Sequence, residues 1–202
     1  SLFFESTLSN YNGVNISCKG YSDGWIMIDS ILGGQSPYSF NWSNGDSALL
    51  IDTLSVGWHT AILTDSFGCI FIENIQITEP NFALDTYLDT FTVSCNGYCD
   101  GMLIANSYDG TGPYTFEWYD NLNNIISTND TADVCAGEFS LIVTDNNGCT
   151  NNLTTTISEP LMLSINLDSI FNISVNGLSD GAIYISATGG NGSYMSSWIG
   201  LN

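Results

Sequence analysis

The sequence repeats itself, and that repetition limits its fold more than any single residue does. Cys18-Lys19-Gly20-Tyr21-Ser22-Asp23-Gly24 returns as Cys95-Asn96-Gly97-Tyr98-Cys99-Asp100-Gly101, and again as Val175-Asn176-Gly177-Leu178-Ser179-Asp180-Gly181. Pro37-Tyr38-Ser39-Phe40-Asn41-Trp42 returns as Pro113-Tyr114-Thr115-Phe116-Glu117-Trp118, then more loosely as Ser193-Tyr194 with Trp198. Thr64-Asp65, closing on Gly68-Cys69, returns as Thr144-Asp145 closing on Gly148-Cys149, and Glu79-Pro80 returns as Glu159-Pro160. The offsets are 76 to 80 residues, the size of a module with its own core. Proline cannot continue a central ladder, so boundaries are expected at Pro80 and Pro160. The expected domains are residues 1–80, residues 81–160, and 161–202 as the N-terminal part of a third repeat.

Within a repeat the apolar period is two. Tyr38, Phe40 and Trp42 alternate with Ser39 and Asn41, and Tyr114, Phe116 and Trp118 do the same, the pattern of a strand with one dry face. Ile26 and Ile28 match Leu103 and Ala105, then Ile183 and Ile185, while His59, Ala61 and Leu63 match Phe139, Leu141 and Val143. Asn12-Gly13, Gly33-Gly34, Asn44-Gly45, Asn147-Gly148 and Asn191-Gly192 supply the residues that tight turns need. Six or seven short strands per repeat predict an all-β chain of tandem immunoglobulin-like β-sandwich repeats of about 80 residues.

Charge narrows the partners. Among 202 residues there are 21 acids, one lysine (Lys19) and no arginine, for a net charge of −20. Nucleic acid and anionic lipid surfaces are both held chiefly through Lys and Arg, so neither is an expected partner. No apolar run approaches the 18 or so residues of a membrane-spanning helix, so direct membrane insertion is not expected. Only 11% of residues are charged; the solvated faces are built from Asn, Ser and Thr, as in secreted β-rich proteins.

The ordered set Cys-x-Gly-x-x-Asp-Gly, Gly-Gly-x-x-Pro-Tyr-x-x-x-Trp, Asn-Gly, Gly-aromatic, Thr-Asp-x-x-Gly-Cys and Glu-Pro resembles the SprB-type repeat of the gliding-motility adhesins of the Bacteroidota. The resemblance covers nearly the whole chain. It implies a cell-surface protein exported by the type IX secretion route, displayed at the outer membrane and contacting a substratum. Three departures stand out: Val175 replaces a cysteine, His59 stands where an aromatic is usual, and residues 120–128 form a longer loop.

Six cysteines in an exported-looking chain read as a disulfide framework. Spacing alone leaves fifteen connectivities. Aligning the repeats puts Cys18 with Cys95 and Cys69 with Cys149, so the expected pairs are Cys18–Cys69 and Cys95–Cys149, each within one repeat. Cys99 and Cys135 align with Ser22 and Ser55 and are expected to form a second bridge. A zinc site built on Cys95, Cys99, Cys135 and Cys149 has poor ligand spacing and no nearby histidine.

No catalytic residue is expected. His59, the only histidine, aligns with Phe139 on an inward face and reads as a core or rim side chain. The recurring acids Asp23, Asp100 and Asp180, and Asp65 and Asp145, stand at glycine-containing turns and read as turn caps rather than as a glycosidase pair. No cofactor and no metal ligand set is expected; calcium is the one cation kept open, near Glu79 and Glu159. Trp25, Met27, Trp58, Met102 and Ile104 fall on outward faces, either covered by a neighbouring strand or module, or exposed as a binding patch. Asp-Ser/Thr motifs make Ser30, Ser47, Thr53, Thr131 and Ser169 candidate O-glycosylation sites.

The expected function is a non-catalytic repeat segment of a long secreted adhesin, serving gliding motility or surface attachment as a rod-like adhesive stalk. Its partners would be an extracellular surface or polysaccharide and the outer-membrane secretion and motility machinery. The alternative is an accessory or carbohydrate-binding segment of a secreted polysaccharide-degrading enzyme.

Overall fold

A computed structural model of the protein describes residues 1–199; Gly200, Leu201 and Asn202, the end of the expected third repeat, lie outside the described residues. Among the described residues all regular elements are strands. Among the described residues no helix is long and apolar enough to cross a membrane. The chain forms two compact units: Ser1–Thr86 with Ser107–Thr115 and Ile142–Asn151, and Tyr87–Asn106 with Phe116–Leu141 and the chain from Asn152 on.

In the first unit, β1 (Phe3–Leu8), β2 (Gly24–Leu32) and β4 (Leu50–Leu54) form one antiparallel sheet in the order β1-β2-β4. A second holds β3 (Ser39–Trp42), β5 (Gly57–Thr64) and β6 (Ile70–Ile77) in the order β3-β5-β6. With the strands lettered in chain order and the D strand absent, these are the A-B-E and C-F-G sheets of an immunoglobulin-like sandwich. The alternation seen in the sequence decides which side chains turn inward. Phe40 and Trp42 are buried while Ser39 and Asn41 are exposed, and Phe40 pairs with Leu63, Trp42 with Ala61. Phe4, Ile26, Ile28, Ile51 and Leu54 face them from the other sheet, and Ile16 closes one end. Phe4 meets Phe40 and Phe71 edge-on at 5.5 Å. Each such fully buried apolar side chain contributes roughly 1.5–3 kcal/mol, and the indole of Trp42 keeps its N–H satisfied on the Ala48 carbonyl at 2.9 Å.

The strands of residues 85–157 follow the same order. β7 (Asp85–Phe91), β8 (Gly101–Tyr108) and β11 (Thr131–Val134) form one sheet. β9 (Thr115–Asp120), β10 (Ile125–Ser127), β12 (Gly137–Thr144) and β13 (Thr150–Ile157) form the other, ordered β10-β9-β12-β13. The longer loop expected at residues 120–128 is thus an extra edge strand. Its hairpin turn is held by Asp120, which accepts from the N–H groups of Leu122 and Asn124 at 2.9 Å each.

In the second unit, β14 (Ser164–Phe171) and β15 (Ala182–Thr188) pair antiparallel and make a sheet of their own. Residues 193–199, the counterpart of β3, form no strand. β3 is laddered onto β5, and among the described residues 161–199 have no counterpart of β5.

Candidate functional site

Three loops recur around the acids picked out in the sequence. Asp23 accepts from the Ser17 N–H at 3.1 Å and the Ser17 hydroxyl at 2.5 Å. Asp100 accepts from the Ser94 N–H at 2.9 Å, and Asp180 from the Ser174 N–H at 3.0 Å. The Ser94 hydroxyl and N–H hold the Asp100 carboxyl below its ordinary value, and Ser174 does the same for Asp180. The glutamate before each boundary proline closes the neighbouring turn. Glu79 accepts from Lys19 Nζ and from the Gly20 N–H at 2.8 Å, and Glu159 accepts from the Gly97 N–H at 2.7 Å. The Lys19 bond, then the Gly20 N–H, lowers the Glu79 pKa. These carboxylates are engaged as backbone caps. Among the described residues no group of three or more His, Cys, Asp or Glu side chains is arranged to hold a metal.

The second pair of acids joins two loops. Asp65 accepts from the N–H groups of Phe67 and Cys69 at 2.9 Å and from Gln35 at 3.1 Å. Asp145 accepts from Asn147 and Cys149 at 2.9 Å and from Thr111 at 2.8 Å. Burial pushes the Asp65 pKa up, but the N–H donors of Cys69, Gln35 and Phe67 outweigh it and the carboxyl titrates below its ordinary value. The loop that each acid grips is pinned again by a tyrosine. The Tyr38 hydroxyl donates to the Gly33 carbonyl at 2.9 Å and Tyr114 to Asp109 at 2.7 Å; in residues 161–199 Tyr194 makes the matching bond to Gly189 at 2.7 Å. Gly33 and Gly34 have φ of 74° and 65°. A Cβ on Gly33 would stand 1.8 Å from the Ser1 carbonyl oxygen, so only glycine fits.

The cysteines overturn two of the expected pairings. Cys18 is bonded to Cys149, and Cys69 and Cys95 carry free, exposed thiols. Strand β2 explains why Cys18 does not reach Cys69. Cys18 lies in the loop leading into Gly24, whereas Cys69 is tied through Asp65 to Gln35, just past Leu32. The nine residues of β2 therefore separate the two cysteines by about 30 Å, against about 4–7 Å between the Cα atoms of a disulfide. Cys99 and Cys135 are bonded. They flank the end of a ladder in which Val134 pairs with Gly101, which brings their loops together.

The remaining candidates stand apart from one another. His59 is half-buried on β5, its Nε2 3.0 Å from the Ser55 carbonyl oxygen. Trp25, Met102 and Ile104 are half-buried, while Met27 and Trp58 are exposed. Ser47, Thr53 and Thr131 are exposed and Ser30 and Ser169 half-buried; Ser30 donates to Glu5 at 3.0 Å. Sequence reasoning missed a groove of about 440 Å³ in the second unit, where Asp120, Asn121, Glu138, Phe139 and Thr154 converge. The only hint was the lengthened loop at residues 120–128, since it is the added hairpin that raises one wall.

Fold and loops together define a disulfide-braced, immunoglobulin-like β-sandwich protein whose turns are closed by buried or capped acids. Residues 10–47 match the family model of the SprB repeat. SprB repeats are found in cell-surface proteins, and disulfides of this kind belong to extracellular chains. Such repeats and such a fold are typically non-catalytic. A search of curated proteins finds no match. Among solved structures, the amphioxus IgVJ-C2 molecule aligns at 14% identity over 76% of this chain and 96% of its own, with a TM-score of 0.30. A likeness of that degree carries no inference.

Proposed function

We propose that the chain is a repeat segment of a long secreted adhesin that serves gliding motility or surface attachment as a rod-like stalk. The observation that carries this reading is the SprB match over residues 10–47, supported by disulfides and a surface of Asn, Ser and Thr with one basic residue. The proposed setting is the outer face of the outer membrane, reached by type IX secretion, with an extracellular surface or polysaccharide as partner. Two measurements test it. Antibodies to the chain should label intact, unpermeabilised cells, and beads coated with it should be retained under flow on polysaccharide-coated surfaces. Labelling only after lysis, or retention equal to that of albumin-coated beads, would reject the reading. Glycan is proposed first at Ser47, Thr53 and Thr131, the exposed residues among the five; unmodified masses for these peptides from native material would count against it.

The groove between Asp120 and Thr154 favours a second reading, a carbohydrate-binding segment of a polysaccharide-degrading enzyme. Acids, amides and hydroxyls around one aromatic ring suit a sugar. Under that reading, Phe139→Ala and Glu138→Gln should each weaken retention on polysaccharide, and under the stalk reading they leave it unchanged.

A further inference from the structure

We infer that Cys95 is the receiving half of a disulfide joining one repeat to the next, its partner being the cysteine of a Thr-Asp-x-x-Gly-Cys turn in the repeat whose first strands are residues 161–199. The bonded pair Cys18–Cys149 sets the pattern. Cys18 belongs to the first repeat in sequence and Cys149 to the second. Cys149 does not arrive alone. Asn147 of the same turn donates through Nδ2 to the Ser17 carbonyl at 3.2 Å and to Thr111 Oγ1 at 3.1 Å. Asp145 ties that turn to the Thr111 N–H. One repeat thus presents its loop at residues 109–111 and its cysteine turn together to the Ser17-Cys18 of the repeat before it.

Around Cys95, half of this arrangement is already in place. Asn191 lies at the position of Thr111, 80 residues further on, and Ser94 lies at the position of Ser17. Asn191 Nδ2 donates to the Ser94 carbonyl at 2.8 Å. The loop of the third repeat is therefore bonded directly beside Cys95, where the loop of the second reaches Ser17 through Asn147. The Cys95 thiol stays exposed, against a cavity of about 350 Å³ bounded by Ser94, Asn96, Gly190, Asn191 and Tyr194. Because the repeat that gives the loop also gives the cysteine at Cys18, the partner of Cys95 belongs to the repeat beginning near residue 161. Cys69, free and exposed at the position of Cys149, is the giving half of the same linkage.

The bond forms by thiol–disulfide exchange with a low-molecular-weight disulfide as oxidant. The Cys95 thiolate attacks one sulfur and expels the other as a thiolate. The incoming cysteine then attacks the Cys95 sulfur of the mixed disulfide and expels the second small thiol. Two protein thiols are oxidised and one small disulfide is reduced to two thiols. The linkage stands whether or not the repeats adhere to anything.

The test completes the third repeat. Residues 115–160 are appended after Tyr194, with the appended copy of Cys135 changed to serine because its partner position is Ser179. A second chimera appends residues 39–80 instead, so that one faulty junction does not decide the result. Both are refolded in a glutathione redox buffer and digested without reduction by chymotrypsin for mass spectrometry. The expected product is a peptide linking Cys95 to the appended turn cysteine, with Cys18–Cys149 retained and one alkylatable thiol, Cys69, in place of the two of the parent chain. Formation of that bond within monomers at high dilution supports the proposal. A free Cys95 in both chimeras, a Cys95–Cys149 bond, or a link appearing only in dimers overturns it.

Discussion

Ile26 and Ile183 hold the same place in the repeat, yet Ile26 is wholly buried and Ile183 is 50% exposed. The same is true of Ile16 against Ile173, and of Trp42, at 2% exposure, against Trp198 at 62%. The ladder itself does not differ: β1 pairs with β2 in the first region and β14 with β15 in the third, each with one irregularity in register. Local backbone pairing and turn caps form from the first half of a repeat, but burial comes from the facing C-F-G sheet. In residues 1–80 that sheet supplies Phe40, Trp42, Ala61 and Leu63; in 161–199 no described strand does so. A hairpin can carry the repeat's geometry without its stability.

The sharpest way to break this comparison is to truncate the two tryptophans. Trp42→Ala should cost about 3–5 kcal/mol in urea unfolding, whereas Trp198→Ala should stay within about 0.5 kcal/mol. Equal losses would mean that 161–199 has a core of its own. Next in size is the long disulfide. Cys18→Ser should lower the stability of the first unit by about 2–4 kcal/mol and leave hydrogen exchange in β14 and β15 unchanged.

Acid should act alike on residues 81–160 and on 161–199, because the caps at Ser94 and Ser174 do not need the second sheet. Asp100 and Asp180 both titrate below the ordinary 3.8 in the folded chain. Their contribution is thus complete above that pH and is lost as pH falls through the lowered folded values. Amide exchange at Ser94 and Ser174 should accelerate together below about pH 4. A fast Ser174 beside a protected Ser94 would show that the cap depends on burial after all. The smallest effect is expected at Lys19→Asn, the residue found at the equivalent Asn96: a partly exposed ion pair contributes about 0–1 kcal/mol, so the unfolding midpoint should move only slightly.

Period-two alternation and repeated Asn-Gly and Gly-Gly turns made the strands legible, and Phe40, Trp42, Ala61 and Leu63 are buried as that pattern requires. The turn-capping role of Asp23 and Asp65 was legible for the same reason, since an acid beside a tight turn has unpaired N–H groups within reach. The disulfide partners were not. A repeat shows that Cys18 equals Cys95 and Cys69 equals Cys149, but pairing within a repeat and pairing with the next repeat leave the same trace in sequence. Only strand direction separates them, because the loop before strand B and the loop after strand F lie at opposite ends of the sandwich. The groove beside Phe139 depends on which residues an inserted hairpin brings opposite one another, which no local pattern records.

The Cys18–Cys149 bond also changes what happens when the chain is pulled. Tension applied at the two ends enters at residue 18 and leaves at residue 149, so the intervening stretch, with a sequence separation of 131, is bypassed by a single covalent link. At roughly 3.3–3.6 Å per extended residue, about 450 Å of contour length stays hidden from the load. While the bond is intact a pulling force cannot extend that stretch, and a reductant would let it lengthen many times over.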